Sequence, residues 1–218
     1  MEKLYPAPWN LSGKGYILLY KFSKDFVEEK TNVPEFLKGN FAGGLGALML
    51  VDYSTSDAGP YGELLLIPGK FKHKGKKFDT ISKIYVSTMA SVENGRRNWG
   101  IPKEQADFSF QSTDSHTEKV SICSDGNTVA EFTLQSGNLT FPVNTKLLPF
   151  PLVQHYEGKF YYTTFQGKGT GKFAKLKDVR INSRLFPDIS GFKPLVAIKV
   201  DPFKITFPVA TIESSMDN

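Results

Sequence analysis

Residues 95 to 106, GRRNWGIPKEQA, bring Arg96, Arg97, Trp99, Pro102, Lys103 and Glu104 together in one short stretch. The lysine offers the most chemistry, because a neutral amine attacks a ketone carbonyl and an ammonium does not. At an ordinary pKa of ~10.4, only about one lysine in a few thousand is neutral at pH 7. Lowering that value by ~3 to 4 units raises the reactive fraction roughly a thousandfold and costs the charged form about 4–5 kcal/mol. Apolar burial or a neighbouring cation can supply the shift, whereas a close carboxylate opposes it. A reactive Lys103 therefore requires Glu104 to face away. Arg96 and Arg97 either add positive potential or pair with carboxylates and fix the local turn.

The elements that must position this lysine can be read from its neighbours. Pro102 has no backbone donor and steers Ile101 into an extended conformation. The chain thus leaves a turn formed by GRRNW and begins a strand at about Lys103 that runs on into ADFSF. Alternation puts Glu104 on the opposite face from Lys103, together with Phe108 and Phe110. Around it, YILLYKF (16 to 22), GLGALMLVDY (44 to 53), YGELLLIPG (61 to 69), KIYVSTMAS (83 to 91), KVSICS (119 to 124), VAEFTLQ (129 to 135), KFYYTTFQG (159 to 167) and PLVAIKVDPFKITF (194 to 207) read as further strands. They are rich in β-branched and aromatic residues and punctuated by Gly, Asp, Asn and Pro. Only KDFVEEKTNVPEFL (24 to 37) has helical spacing, and Pro34 interrupts it. So many consecutive strands require a barrel or a sandwich to dispose of their edges. The expectation is one mainly antiparallel β domain over residues 1–218 with one or two short helices.

Other chemistries are poorly supported. His73, His116 and His155 are scattered, without metal-ligand spacing, and His155 reads as a loop residue. Cys123 is the single cysteine, so an intrachain disulfide and a cysteine metal cluster are excluded. GKGTGK (167 to 172) does not meet the phosphate-loop spacing and reads as a glycine-rich turn. The net charge of +5 is concentrated in KFKHKGKKF (70 to 78), which reads as a solvated hairpin tip rather than a nucleic-acid patch. With 40% apolar residues and no apolar run near the ~18 residues of a membrane helix, the chain reads as globular and non-spanning. MEKLYPAPWN lacks the apolar centre of a secretory peptide, and the expected compartment is the cytoplasm.

The motif GRRNWGIPKEQA resembles the signature of the acetoacetate decarboxylase family: Gly95, Arg96, then Pro102 and Lys103 in register. GPYGELLLIPG (59 to 69) is similar to the family segment that carries an active-site glutamate shortly after a tyrosine, here Glu63 and Tyr61. PAPWNLSGKGYILLY (6 to 20) resembles the family's opening strand. The resemblance implies a closed, cone-shaped antiparallel barrel, a homo-oligomer, and no cofactor or metal. It implies Lys103 as the Schiff-base nucleophile, Glu63 as its catalytic partner, and Arg96, Tyr61 and Glu104 as substrate-binding side chains. Three positions depart from the pattern. Glu104 replaces the second lysine of the decarboxylases, Arg97 stands where a glutamate is usual, and a further acidic residue is missing near Gly46 or Ala47. The function implied is decarboxylation of a small β-keto acid. Aldol or dehydratase chemistry on a 2-oxo acid, and non-catalytic binding of a hydrophobic ligand, are the alternatives. The expected partner is a small oxo acid, not nucleic acid or membrane.

Overall fold

The computed structural model describes residues 3–215. Fifteen strands form two sheets: β1 (Trp9–Tyr20), β2 (Gly46–Thr55), β3 (Tyr61–Ile67), β4 (Lys70–His73), β5 (Lys76–Asp79), β6 (Lys83–Val86), β7 (Lys103–Gln105), β8 (Asp107–Ser112), β9 (Thr117–Ser124), β10 (Asn127–Asn144), β11 (Pro151–Tyr156), β12 (Lys159–Thr164), β13 (Gln166–Ile181), β14 (Val196–Phe207) and β15 (Thr211–Ser214). Two α-helices among the described residues join them, α1 (Lys24–Lys30) and α2 (Met89–Trp99). The large sheet runs β7-β6-β3-β2-β1-β14-β13-β10-β9-β8, and the small one β15-β12-β11-β5-β4. No helix among the described residues is long and apolar enough to cross a membrane.

The large sheet curls until its two edges meet in one bent segment. β7 and β8 are separated by Ala106 alone, whose N–H bonds to Val86 O at 3.0 Å. The first half of this segment pairs in parallel with β6 and the second half antiparallel with β9, so the chain itself closes the barrel. Among the described residues, the parallel β6–β7 and β11–β5 contacts are the exceptions to an otherwise antiparallel arrangement.

Both faces of the large sheet are buried. On one, Tyr16, Leu18, Leu50, Leu64, Tyr85, Ile122 and Phe132 pack together, with Phe108 and Phe110 against them. On the other, Leu11, Val51, Tyr61, Leu65 and Ile84 pack with Trp99 of α2, with Ile101, and with Leu152 and Tyr161 of the small sheet. A fully buried side chain of this size contributes about 1.5–3 kcal/mol, so each face is a core in its own right.

Several sequence expectations need correction. KIYVSTMAS is a strand only to Val86, and GRRNW is not a turn but the second half of α2. Thr88 caps that helix, its Oγ1 accepting from Ser91 N, and Gly100 ends it in the left-handed region at φ 64°. GKGTGK is not a turn either; it lies within β13, paired on one side with β10 and on the other with β14. His155 lies on β11 rather than in a loop. KFKHKGKKF forms the β4–β5 hairpin, turning at Lys74 and Gly75, both with positive φ. After α1 the chain resumes only as a single 3-10 turn, Glu35–Leu37, beyond Pro34.

Candidate active site

Lys103 begins β7, directly across from Ile84 of β6, and its side chain enters the core beneath α2 with 4% of its surface exposed. Four further side chains converge there. Tyr61 and Glu63 are alternate residues of β3 and share its face; Tyr53 comes from β2, opposite Tyr61; Ser91 comes from the first turn of α2. Lys103 Nζ donates to Glu63 Oε2 at 3.1 Å, to Ser91 Oγ at 3.0 Å and, at 3.5 Å, to Tyr61 OH. The same nitrogen lies 5.0 Å from the Tyr61 ring centroid. The other Glu63 oxygen, Oε1, accepts from Tyr53 OH at 3.1 Å.

This cluster can serve either protonation state of the amine. As an ammonium, Lys103 has three donors and three acceptors. As a neutral amine it has a lone pair, to which the Ser91 hydroxyl, or a protonated Glu63, can donate. Burial, and secondarily the Glu63 charge, push both the Tyr53 and Tyr61 hydroxyls well above the usual phenol range, so both remain donors at neutral pH.

The backbone around Lys103 is held from both sides. Arg96 reaches back from α2, its Nη2 donating to Lys103 O at 2.6 Å, and Lys103 N donates to Ile101 O at 2.8 Å. Gly95 lies against the lysine stem: a Cβ built there falls 2.6 Å from Lys103 Cδ and 2.9 Å from Cε. Glycine is therefore the residue that lets α2 and the lysine lie side by side. The N-terminal segment is fastened over this helix, Asn94 Oδ1 accepting from Tyr5 N at 2.8 Å and Asn98 Nδ2 donating to Tyr5 O at 2.8 Å. Trp9 and Trp99 meet edge to face, 5.0 Å between centroids, and form part of the wall.

What remains open beside Lys103 and Glu63 is a cavity of about 20 Å³, walled by Trp9, Leu11, Leu65, Ile84, Trp99 and Phe207 among others. That is room for about one water. Among the described residues, no cluster of three or more His, Cys, Asp or Glu could hold a metal ion.

The structure brings Lys103, Glu63 and Tyr61 together and leaves two of the expected residues outside. Glu104 faces the opposite side of the sheet, where its carboxylate takes a 2.6 Å contact from Lys83 Nζ, so it does not line the cavity as a substrate contact. Arg96 touches the site only through the Lys103 carbonyl, which is a positioning contact, and its side chain lines a separate surface cleft with Tyr156 and Glu157. The carboxylate beside the amine is thus Glu63, not its sequence neighbour. Sequence reasoning missed Ser91 and Tyr53. The signals were present: Thr88 as a cap, with Gly100 and Pro102 as a stop, delimit the helix that carries Ser91, and Tyr53 is on the strand preceding Tyr61.

Comparison with known proteins gives a consistent picture. The family model for acetoacetate decarboxylase (ADC) matches residues 2–185. No curated protein sequence matches. Among solved structures, an acetoacetate decarboxylase from Legionella pneumophila is similar with a TM-score of 0.72 at 12% identity, over 98% of this chain and 90% of that one. The enduracididine biosynthesis enzyme MppR, in complex with pyruvate, is similar with a TM-score of 0.67 at 14% identity, over 97% and 91%. An acetoacetate decarboxylase-like enzyme from Sphingomonas wittichii is similar with a TM-score of 0.66 at 13% identity, over 96% and 94%.

Proposed function

The chain belongs to the acetoacetate decarboxylase family, and from that premise we propose that it is a Schiff-base-forming lyase that decarboxylates a β-keto acid through Lys103. The observation that carries this reading is the buried Lys103 amine, hydrogen-bonded at once to Glu63, Ser91 and Tyr61 against an otherwise apolar wall.

The chemistry follows from these contacts. Glu63, 3.1 Å away, accepts the proton the ammonium must lose, and in an apolar pocket the resulting amine and carboxylic acid avoid the desolvation penalty of two buried charges. The neutral amine attacks the ketone carbon, and loss of water leaves an iminium. As the carboxylate departs as carbon dioxide, its bonding electrons pass to the iminium nitrogen and form an enamine. Protonation at carbon and addition of water then release the ketone and restore the amine. Glu63 shuttles the protons in these steps; such general acid–base catalysis is typically worth 10²–10⁴-fold. Tyr53 holds the second oxygen of Glu63 and keeps its first turned to the amine. With Glu104 turned away to Lys83 and no second lysine adjoining Lys103 in sequence, the group that takes the proton from this amine is Glu63, and no neighbouring cation drives it off.

The test is reductive trapping. Acetoacetate and borohydride should add a reduced ketone adduct to Lys103, and carbon dioxide should be evolved without reductant. A protein whose Lys103 stays unmodified overturns the proposal. A second reading, aldol condensation of a 2-oxo acid, draws on the likeness to MppR, a structure of which holds the condensation product of pyruvate and imidazole 4-carboxaldehyde. Trapping with pyruvate but not acetoacetate, without carbon dioxide, would favour it.

A further inference from the structure

Resting on the Schiff-base reading above, we propose that a second, apolar cavity behind Tyr53 is the subsite for the alkyl end of the substrate. The preferred substrates are then oxo acids with about three methylenes more than acetoacetate. This cavity has a volume of about 100 Å³ and is walled by Met49, Val51, Tyr53, Phe150, Phe165 and Phe203. It lies on the same face of the sheet as Lys103. Val51 is directly across from Glu63 in the β2–β3 register, and Tyr53 directly across from Tyr61. Tyr53 both walls the cavity and donates to Glu63. Phe165, in its wall, stacks at 5.2 Å on Phe207, which lines the space beside Lys103. The partition between the two spaces is thus single side chains.

Size and chemistry agree on the occupant. The space beside Lys103, about 20 Å³, is too small for a four-carbon oxo acid, so side chains of the partition move when substrate binds. Phe165 and Phe207, stacked across the partition with one ring in each space, are the side chains that move, which leaves the Tyr53–Glu63 hydrogen bond in place. The apolar cavity is about two-thirds the volume of an engineered apolar cavity of ~150 Å³ that stays dry and takes up benzene. In proportion to the six ring carbons of benzene in that cavity, it takes roughly three to four methylene-sized groups. Its outer end adjoins an open groove of about 790 Å³ with Lys14, Lys168 and Lys204 at its rim beside Asp52 and Asp201; Val143, Lys168, Gly169, Phe203 and Lys204 are shared between the two spaces.

The test compares chain lengths on one protein. In the wild type, the second-order rate of borohydride trapping should rise about fourfold per methylene from acetoacetate to 3-oxoheptanoate and then level off. In Val51→Phe, and independently in Met49→Phe, each checked for native near-ultraviolet circular dichroism, the ratio of the long to the short substrate should fall at least tenfold. A flat series in the wild type, or a ratio unchanged in both variants, overturns the proposal. The cavity is also read without covalent chemistry, by calorimetric binding of straight-chain alcohols from butanol to octanol, which cannot form an iminium. The same rise and the same loss in the variants are expected there. If no oxo acid of any length modifies Lys103 while the alcohols still show the trend, the Schiff-base reading fails and the apolar subsite stands; no chain-length trend in either series removes the subsite.

Discussion

Replacing Gly95 with alanine separates the folding of this protein from its proposed chemistry. The added methyl would lie 2.6 Å from Lys103 Cδ and 2.9 Å from Cε. Carbon atoms in ordinary contact sit about 3.5–4.0 Å apart, so the lysine stem must withdraw by about 1 Å. The neighbour that yields is a side chain and not backbone, so the fold survives. Alanine in a helix interior gains about 0.8–1.0 kcal/mol over glycine, while inserting a methyl into a packed core costs about 1–3 kcal/mol. The net loss is up to about 2 kcal/mol, or a fall in Tm of up to about 8 °C for a chain of this size. The amine suffers more. Its contacts to Glu63 and Ser91, at 3.1 and 3.0 Å, leave no slack for a shift of that size, and a misplacement of about 1 Å costs on the order of 10²-fold in rate. Gly95→Ala should therefore unfold within about 8 °C of wild type while the rate of borohydride trapping at Lys103 falls about a hundredfold. The two are read by calorimetry and by mass spectrometry of the reduced adduct. Trapping at the wild-type rate in a folded variant would refute the argument that α2 sets the position of the amine.

Three further outcomes are expected. Glu63→Gln keeps an acceptor for only one of Tyr53 and Lys103 and cannot take a proton, so trapping and carbon dioxide release should fall 10²–10⁴-fold; a loss below threefold would make Glu63 a purely structural residue. Glu104→Gln removes a partly exposed pair with Lys83, so stability should change by only about 0–1 kcal/mol and trapping by less than about twofold; a tenfold loss would restore Glu104 as a substrate contact. Asp79 is fully buried, and burial, partly offset by Lys70 Nζ at 2.7 Å, pushes its carboxyl up to about 6 from an ordinary 3.8. The folded state then holds its proton more tightly than the unfolded one. The resulting stability is present in full below about pH 3.8 and is lost as pH rises through 6, by about 3 kcal/mol. Between pH 4 and 6.5 about 2.3 kcal/mol of this is lost, so Tm should fall over that range by roughly 5–9 °C more in wild type than in Asp79→Asn. Parallel curves for the two proteins would contradict it.

How far the sequence could be read turns on the number of buried faces. The β class, most strands and the extended start at Lys103 follow from β-branched and aromatic runs and from Pro102, because those signals are local. The strand 166–181 is not legible, because GKGTGK carries the glycines of a turn, and only its neighbours β10 and β14 make it a strand. Helix α2 is hidden for a similar reason. Its buried residues are Ser91, Val92, Asn94, Gly95 and Trp99, and the three small or polar ones among them break any apolar stripe and are poor helix formers. The position of Lys103 depends on both. Alternation along β7 and β8 puts the lysine opposite Phe108 and Phe110, and with one buried face that would mean solvent. The structure keeps this alternation but supplies a second core on the other side, roofed by α2 and the small sheet. The face opposite the phenylalanines is therefore as dry as their own, and it is the face where a lysine can meet Glu63 rather than water. Glu104, on the phenylalanine side, lies where the sheet leaves it partly exposed to Lys83. A local pattern fixes which residues share a face; what covers that face is decided by elements far away in the chain.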